Sequence, residues 1–191
     1  MFRDDPDLNR RRQEFFERFH QGSADTDPWH ARSRQYVHKI THDWVLELIH
    51  QKDGRVVNAG SGGSDYVILV SIVHYDLVVL PSIPTGRFIQ GDVEQMPFSD
   101  ASFNVVLCVG SVLNYCDPTR CLSEISRVVA PDGLVMLEYE RSGSAEYIWQ
   151  RGFASAAARF VTFFGKEKAH IWAYSDRFIN GIIAVNGLSH G

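Results

Sequence analysis

Cysteine is scarce in this chain. There are three in 191 residues, Cys108, Cys116 and Cys121, and none stands at metal-ligand spacing from another. So small and odd a set argues against a disulfide framework and against structural zinc, and no metal is expected. Long apolar runs are also missing. The longest, Tyr66 to Val73, is interrupted by Ser71 and is much too short to span a bilayer. With no apolar secretion segment at the start, a cytoplasmic setting is expected, without a membrane partner. Strong charge of either sign is absent too. The formal net charge is -4, which gives no nucleic-acid footprint. The run Arg10-Arg11-Arg12 reads as a solvated helix face. No internal repeat or low-complexity segment interrupts the chain.

What is present suits one globular domain. Hydrophobic residues make up 45% and charged residues 22%, enough apolar side chain for a sizeable core at this length. The chain is organised around Arg55 to Ser64. There Val56 and Val57 end a buried strand, and Gly60 and Gly62 allow a sharp turn and a close approach. A strand, a tight glycine turn and a crossover is how α/β folds build a nucleotide-like crevice.

The remaining pattern alternates. Residues 5 to 20 read as a helix with Leu8, Phe15, Phe16 and Phe19 as a partial stripe. Asp27-Pro28 opens a second helix, in which Val37, Ile40, Thr41, Trp44, Val45, Leu48 and Ile49 recur at helical spacing. Asp65 to His74 reads as a crossover helix, Leu77 to Leu80 as strand 2, Arg87 to Gln90 as a short strand 3, and Val105 to Gly110 as a buried strand 4. Asp117-Pro118-Thr119 starts a helix ended by Pro131-Asp132-Gly133, and Leu134 to Tyr139 is strand 5. Helices and loops are expected from Ser142 on, with a last helix over Ser175 to Asn186. The predicted architecture is a single α/β domain with a doubly wound, mostly parallel sheet. It divides into a helical cap at 1–53, a binding core at 54–141 and a helical segment at 142–191.

Three stretches together resemble one family. They are Val57-Asn58-Ala59-Gly60-Ser61-Gly62; the run Gly91-Asp92-Val93-Glu94-Gln95-Met96-Pro97-Phe98-Ser99-Asp100 continuing to Val106; and Ser123-Glu124-Ile125-Ser126-Arg127-Val128 continuing to Leu134. In order and spacing they are similar to class I S-adenosylmethionine-dependent methyltransferases of the type 11 subgroup, with a Rossmann-like fold. The resemblance covers Val56 to Tyr139. It implies S-adenosyl-L-methionine as cofactor and a small-molecule acceptor. Gly60, Ser61 and Gly62 would form the cofactor turn. Asp92 and the Val93 amide would meet the adenine edge, with Met96 and Phe98 as walls or core. Val109, Gly110 and Ser111 would lie beside the methionine portion, and Tyr36 or Trp29 would close over it. Asn114, Tyr115, Glu140 and Arg141 are the substrate-side candidates. No catalytic base is identified.

Three departures stand against that pattern. Asn58 occupies the place of an acid. The acid that should follow strand 2, for the ribose, is missing at Leu80-Pro81-Ser82. The chain stops at Gly191, leaving no sequence for a final hairpin after the last helix. A truncated chain, a strand 5 covered by Arg151 to Phe164, or a homo-oligomer formed through that edge would each account for this. The leading reading is a methyltransferase. The alternative is a degenerate methyltransferase-like domain serving as a binding or assembly module. A nicotinamide-dependent dehydrogenase fits poorly, because Asp65 stands where its third glycine belongs.

Overall fold

Period-two alternation along the strands sorts the core into two faces. Our computed structural model describes residues 13–17, 28–49, 54–62, 72–79, 83, 85–164 and 167–189. Five parallel strands form the main sheet: β1 (Val56–Ala59), β2 (Ile72–Asp76), β3 (Phe88–Gln90), β4 (Phe103–Cys108) and β5 (Val129–Leu137). Their order is β3-β2-β1-β4-β5, so the chain reverses direction across the sheet between β1 and β4. Ligands of open α/β sheets sit outside the carboxyl ends of strands at such a point.

On one face, Val56, Ile72, Val105 and Leu107 pack with Val45 and Trp44 of α1 (Pro28–Ile49). On the other, Val57, Ala59, Val106 and Cys108 pack against Leu122, Ile125 and Val128 of α2 (Pro118–Val128). The same layer includes Ile179 and Ile183 of α3 (Asp176–Val185). Both of these helices begin as the sequence indicates. Asp117 accepts a hydrogen bond from the Thr119 amide at 2.9 Å, with Pro118 in the first turn. Ser175 caps α3 through the Phe178 amide at 3.3 Å. Residues 13–17 are helical; the rest of the first expected helix, and 65–71 of the crossover, lie outside the described residues.

Three expectations are corrected. Strand 2 is Ile72–Asp76, not Leu77–Leu80. Its β-branched run pairs in register with β1, Val56 opposite Ile72 through Ala59 opposite Tyr75. It stops because the Asp76 carboxylate accepts from the Val78 amide two residues on, at 3.1 Å, which turns the chain away from the ladder. Strand 5 begins at Val129, ahead of Pro131-Asp132-Gly133, and ends at Leu137. The turn residues are absorbed as an irregularity, with Asp132 at φ +59 and the register shifting between Phe103 and Val105.

The third correction is the largest. The segment 142–191 is not helical throughout. It contains an antiparallel hairpin, β6 (Ala157–Phe164) and β7 (Glu167–Tyr174), ahead of α3. Phe160, Ile171 and Ala173 are buried while their strand neighbours Arg159 and His170 are exposed, which is a period of two and not of 3.6. The hairpin is a separate two-stranded sheet, tied to the chain just beyond β5. There Tyr174 bridges Arg141, and the Ser142 amide donates to the Tyr174 carbonyl at 3.0 Å.

Candidate cofactor crevice

The glycine turn is fastened to the end of β2. The Gly60 amide donates to the Tyr75 carbonyl at 2.7 Å, and the Ser61 amide to the same oxygen at 3.3 Å. The Gly62 amide donates to Asp76 Oδ2 at 2.8 Å. Both glycines have left-handed backbones, φ +76 and +54. At Gly60 a Cβ would also run into the Val112 methyls. Gly62 is different: among the described residues a Cβ there would meet only the Gly60 carbonyl, at 4.0 Å. The turn is therefore closed at its first glycine by Val112, and among the described residues no side chain crowds its second. Ser61 is 3% exposed, and its Oγ has no hydrogen-bond partner among the described residues.

Asp76 is the residue the sequence reading missed. With strand 2 correctly placed, an acid stands at its carboxyl end, 8% exposed. Its two oxygens accept from Gly62 and Val78, and a carboxylate has about four acceptor sites, so capacity remains for hydroxyl donors. The signal was a lone acid directly after an alternating apolar run. Asn58, on β1, is buried beside His74 of β2 in the strand register.

The next loop carries Asp92. Its Oδ1 accepts from the Glu94 amide at 3.0 Å. Tyr75 reaches beneath it and donates from its hydroxyl to the Asp92 and Gln95 carbonyls, at 3.0 and 3.2 Å. Burial, and then the charges of Asp92 and Glu124, push the Tyr75 phenol up to about 12, so it remains a donor. Val93 and Met96 are buried, and Phe98 packs edge-on against Tyr75 and Phe103. Met96 and Phe98 thus belong to the core. Arg127 holds this loop from α2. It donates to the Met96 carbonyl at 2.9 Å, the Phe98 carbonyl at 2.6 Å and Asp100 at 2.9 Å. It also pairs with Glu124 at 2.7 Å, and Glu124 in turn accepts from the Met96 amide at 2.7 Å. The second and third sequence motifs are two halves of one brace.

Beyond β4, Val109 is buried and the chain takes two successive left-handed residues, Gly110 at φ +84 and Ser111 at φ +62. Consecutive amides in this conformation form an anion nest. It is filled by Glu138, whose Oε2 accepts from Gly110 at 2.7 Å and Ser111 at 2.6 Å. Glu138 was not picked out from the sequence.

The substrate-side candidates separate. Asn114 is 1% exposed, and its amide ties three segments together. It donates to the Glu140 and Trp172 carbonyls, at 3.1 and 2.6 Å, and accepts from the Glu140 amide at 2.8 Å. Tyr115 stands against Phe15 and Phe16 of the N-terminal helical residues, with ring centroids 6.4 and 5.1 Å away. Burial, with Glu140 and Glu138 nearby, raises its phenol well above the ordinary range. Arg141 pairs with Asp176 at 2.7 Å rather than with Glu140, and Tyr139 donates to the same carboxylate at 3.0 Å. Tyr36 is 67% exposed on α1; the side chain of Trp29 lies outside the described residues. All three cysteines are buried, and contacts with Cys108 and Cys116, with burial, raise the Cys121 thiol, which leaves it unreactive.

Comparison with known proteins agrees with this geometry. Residues 62–137 match the model of the methyltransferase domain family, type 11. A demethylmenaquinone methyltransferase of Deinococcus radiodurans is 44% identical over 113 residues, covering 50% of this chain and 47% of that protein. A ubiquinone/menaquinone biosynthesis C-methyltransferase of Legionella pneumophila is 24% identical over 155 residues, covering 70% and 62%. The chain thus spans about half the length of the first relative and under two thirds of the second. Among solved structures, a 1,6-didemethyltoxoflavin-N1-methyltransferase of Burkholderia thailandensis, with 1,6-didemethyltoxoflavin and S-adenosylhomocysteine bound, superposes with a TM-score of 0.58. That match has 15% identity and covers 97% of this chain and 80% of the other. It shows a shared fold.

Proposed function

We propose that this chain, whose residues 62–137 match the methyltransferase domain family, type 11, moves a methyl group from S-adenosyl-L-methionine to a small-molecule acceptor. One observation carries the reading. A left-handed glycine turn, with no side chain against Gly62 among the described residues, lies beside a buried acid at the end of β2, with the Asp92 loop following β3. The unpartnered Ser61 Oγ adds a buried polar atom in the turn itself.

These residues fit the cofactor group by group. The turn of Gly60 to Gly62 takes the tail side. Asp76 accepts from the ribose hydroxyls, and Asp92 from the adenine amino group. Asn58 contributes no charge, so the acids opposite the cationic ligand are Asp76 and Asp92. When bound, S-adenosylmethionine supplies an activated methyl and its own leaving group, so the protein's share is mainly orientation. Tyr115, kept protonated, donates or positions and does not act as a base.

For the acceptor, likeness to the two quinone-pathway relatives favours a carbon atom of a quinol-type ring. The aromatic wall of Tyr115, Phe15 and Phe16 suits a flat apolar ring. The degenerate-domain reading loses one of its three grounds, since an acid stands at the end of β2.

Calorimetric titration with S-adenosylmethionine and S-adenosylhomocysteine tests the first claim. Saturable binding of both is expected; no heat from either at millimolar ligand defeats it. Transfer of labelled methyl to a reduced demethylated naphthoquinone tests the second, and binding without transfer to that ring sends the search to other acceptors.

A further inference from the structure

Helix α3 carries two apolar stripes. Ile179 and Ile183 turn into the core. Phe178, Gly181, Ile182 and Val185, spaced i, i+3, i+4 and i+7, form a second stripe beside them. All four line one open groove of about 510 Å³, which Thr119 of α2 and Ala156 line as well. Val185 is 88% exposed. The Phe178 ring is held by stacking on Tyr174, with centroids 5.7 Å apart.

Gly181 stands in the middle of the stripe. A glycine inside a helix weakens it relative to alanine. Unlike Gly187 beyond the helix, Gly181 has no positive φ that would call for one. A Cβ there would meet nothing within 4 Å among the described residues. What the missing side chain provides is a hole in the groove wall, where another surface comes close.

We propose that this face pairs with its own copy, two α3 helices packing antiparallel about a two-fold axis midway between residues 181 and 182. The stripe selects this occupant because it is its own complement. In that register Phe178 meets the partner's Val185, and Ile182 enters the hole left by the partner's Gly181. Symmetry repeats both contacts. Charge agrees. Arg177, exposed at the start of α3, comes against the partner's Asn186, the C-cap. That end of the helix carries the negative pole of its dipole, and no basic residue stands in its last turn. Other occupants fit less well. From Ser175 to Ser189 the only Lys or Arg is Arg177, offset by Asp176, so the segment has no charge to hold a lipid surface. A small ligand would be left largely in water in so open a groove. Two turns of helix make a small interface, so the dimer should be weak, with a dissociation constant on the order of 10 μM.

Sedimentation equilibrium of the full chain, from about 1 to 300 μM, tests this. A reversible monomer–dimer equilibrium is expected. Gly181→Glu fills the hole and brings two carboxylates together across the axis, and should weaken the dimer by about tenfold or more. The same change should raise the melting temperature of the dilute monomer by about 1–3 °C, because it removes a mid-helix glycine. Loss of the dimer is thereby separated from loss of the fold. Val185→Ser, at an exposed site, should weaken the dimer about tenfold. Arg177→Gln should weaken it about threefold and abolish its salt dependence. A chain that stays monomeric at about 300 μM overturns the proposal. So does a dimer that Gly181→Glu and Val185→Ser leave undiminished, which would place the contact elsewhere. The face uses no residue of the proposed cofactor crevice, so neither result bears on methyl transfer.

Discussion

Two left-handed turns face each other across the switch point of the sheet, one after β1 and one after β4. Each is clasped by a carboxylate from the neighbouring strand. Asp76 takes the Gly62 amide; Glu138 takes both the Gly110 and Ser111 amides. The difference lies in what surrounds them. Gly60 is crowded by Val112, whereas a Cβ at Gly110 would meet nothing within 4 Å among the described residues. Asp76 divides its oxygens between two amides and keeps acceptor capacity, while a single oxygen of Glu138 accepts both of its bonds. The first turn is held in place by packing and is the one we propose faces the cofactor. The second is a loop held in place by charge.

Substitutions sharpen this contrast. Gly60→Ala should be the most damaging, because it adds left-handed strain of about 1–2 kcal/mol to overpacking of a further 1–3 kcal/mol. Urea unfolding should show a loss of about 3 kcal/mol. A loss under about 1 kcal/mol would mean that Val112 yields and the turn is not packed shut. Asp76→Asn comes next. It keeps the size but loses the charge-assisted acceptors, and should cost S-adenosylhomocysteine affinity roughly tenfold to a hundredfold, about 1.4–2.7 kcal/mol. Glu138→Gln retains an amide oxygen for its two bonds and should change that affinity by less than about threefold. Equal effects at the two positions would erase the distinction between a ligand-facing and a loop-holding carboxylate. Gly110→Ala, with open space around it, should cost only the strain, about 1–2 kcal/mol.

The same contrast explains what the sequence reveals. The glycine turn, the Asp92 loop and the two helix caps were readable because each depends on residues close together in sequence. Asp117-Pro118 and Ser175 are local caps, and Gly60 is marked by its own missing side chain. Asp76 was hidden by a register error. The run ending in Ile72-Val73 is apolar enough for a buried helix or a strand, and only pairing with β1 decides between them. Glu138 was hidden more deeply, since its partners stand 27 and 28 residues away and nothing local marks it. In the hairpin, Phe160 and Phe164 are four residues apart and so mimic a helical stripe. What fixes the strand is the partner at 167–174 and the edge bonds from Gln150. Long-range pairing overrode local pattern at each of these places.

The smallest effect concerns the brace beneath the Asp92 loop, and pH exposes it. Hydrogen bonding to Arg127 comes first among the causes that hold the Glu124 carboxyl below its ordinary value of 4.5, opposed by burial and aided by the Met96 amide. A group with a depressed folded pKa contributes stability that is fully present above its unfolded value and is lost as pH falls through the folded one. The wild type should therefore lose this contribution below about pH 4.5. Glu124 is 19% exposed and Arg127 31%, so solvent screens the pair and the contribution should be modest, about 1 kcal/mol. Glu124→Gln should lower stability by that amount at neutral pH and converge on the wild type in acid. Denaturant melts at pH 7 and at about pH 3.5 measure both arms. If the two curves stay parallel, the Arg127 fork holds the Met96 and Phe98 carbonyls without help from the Glu124 charge.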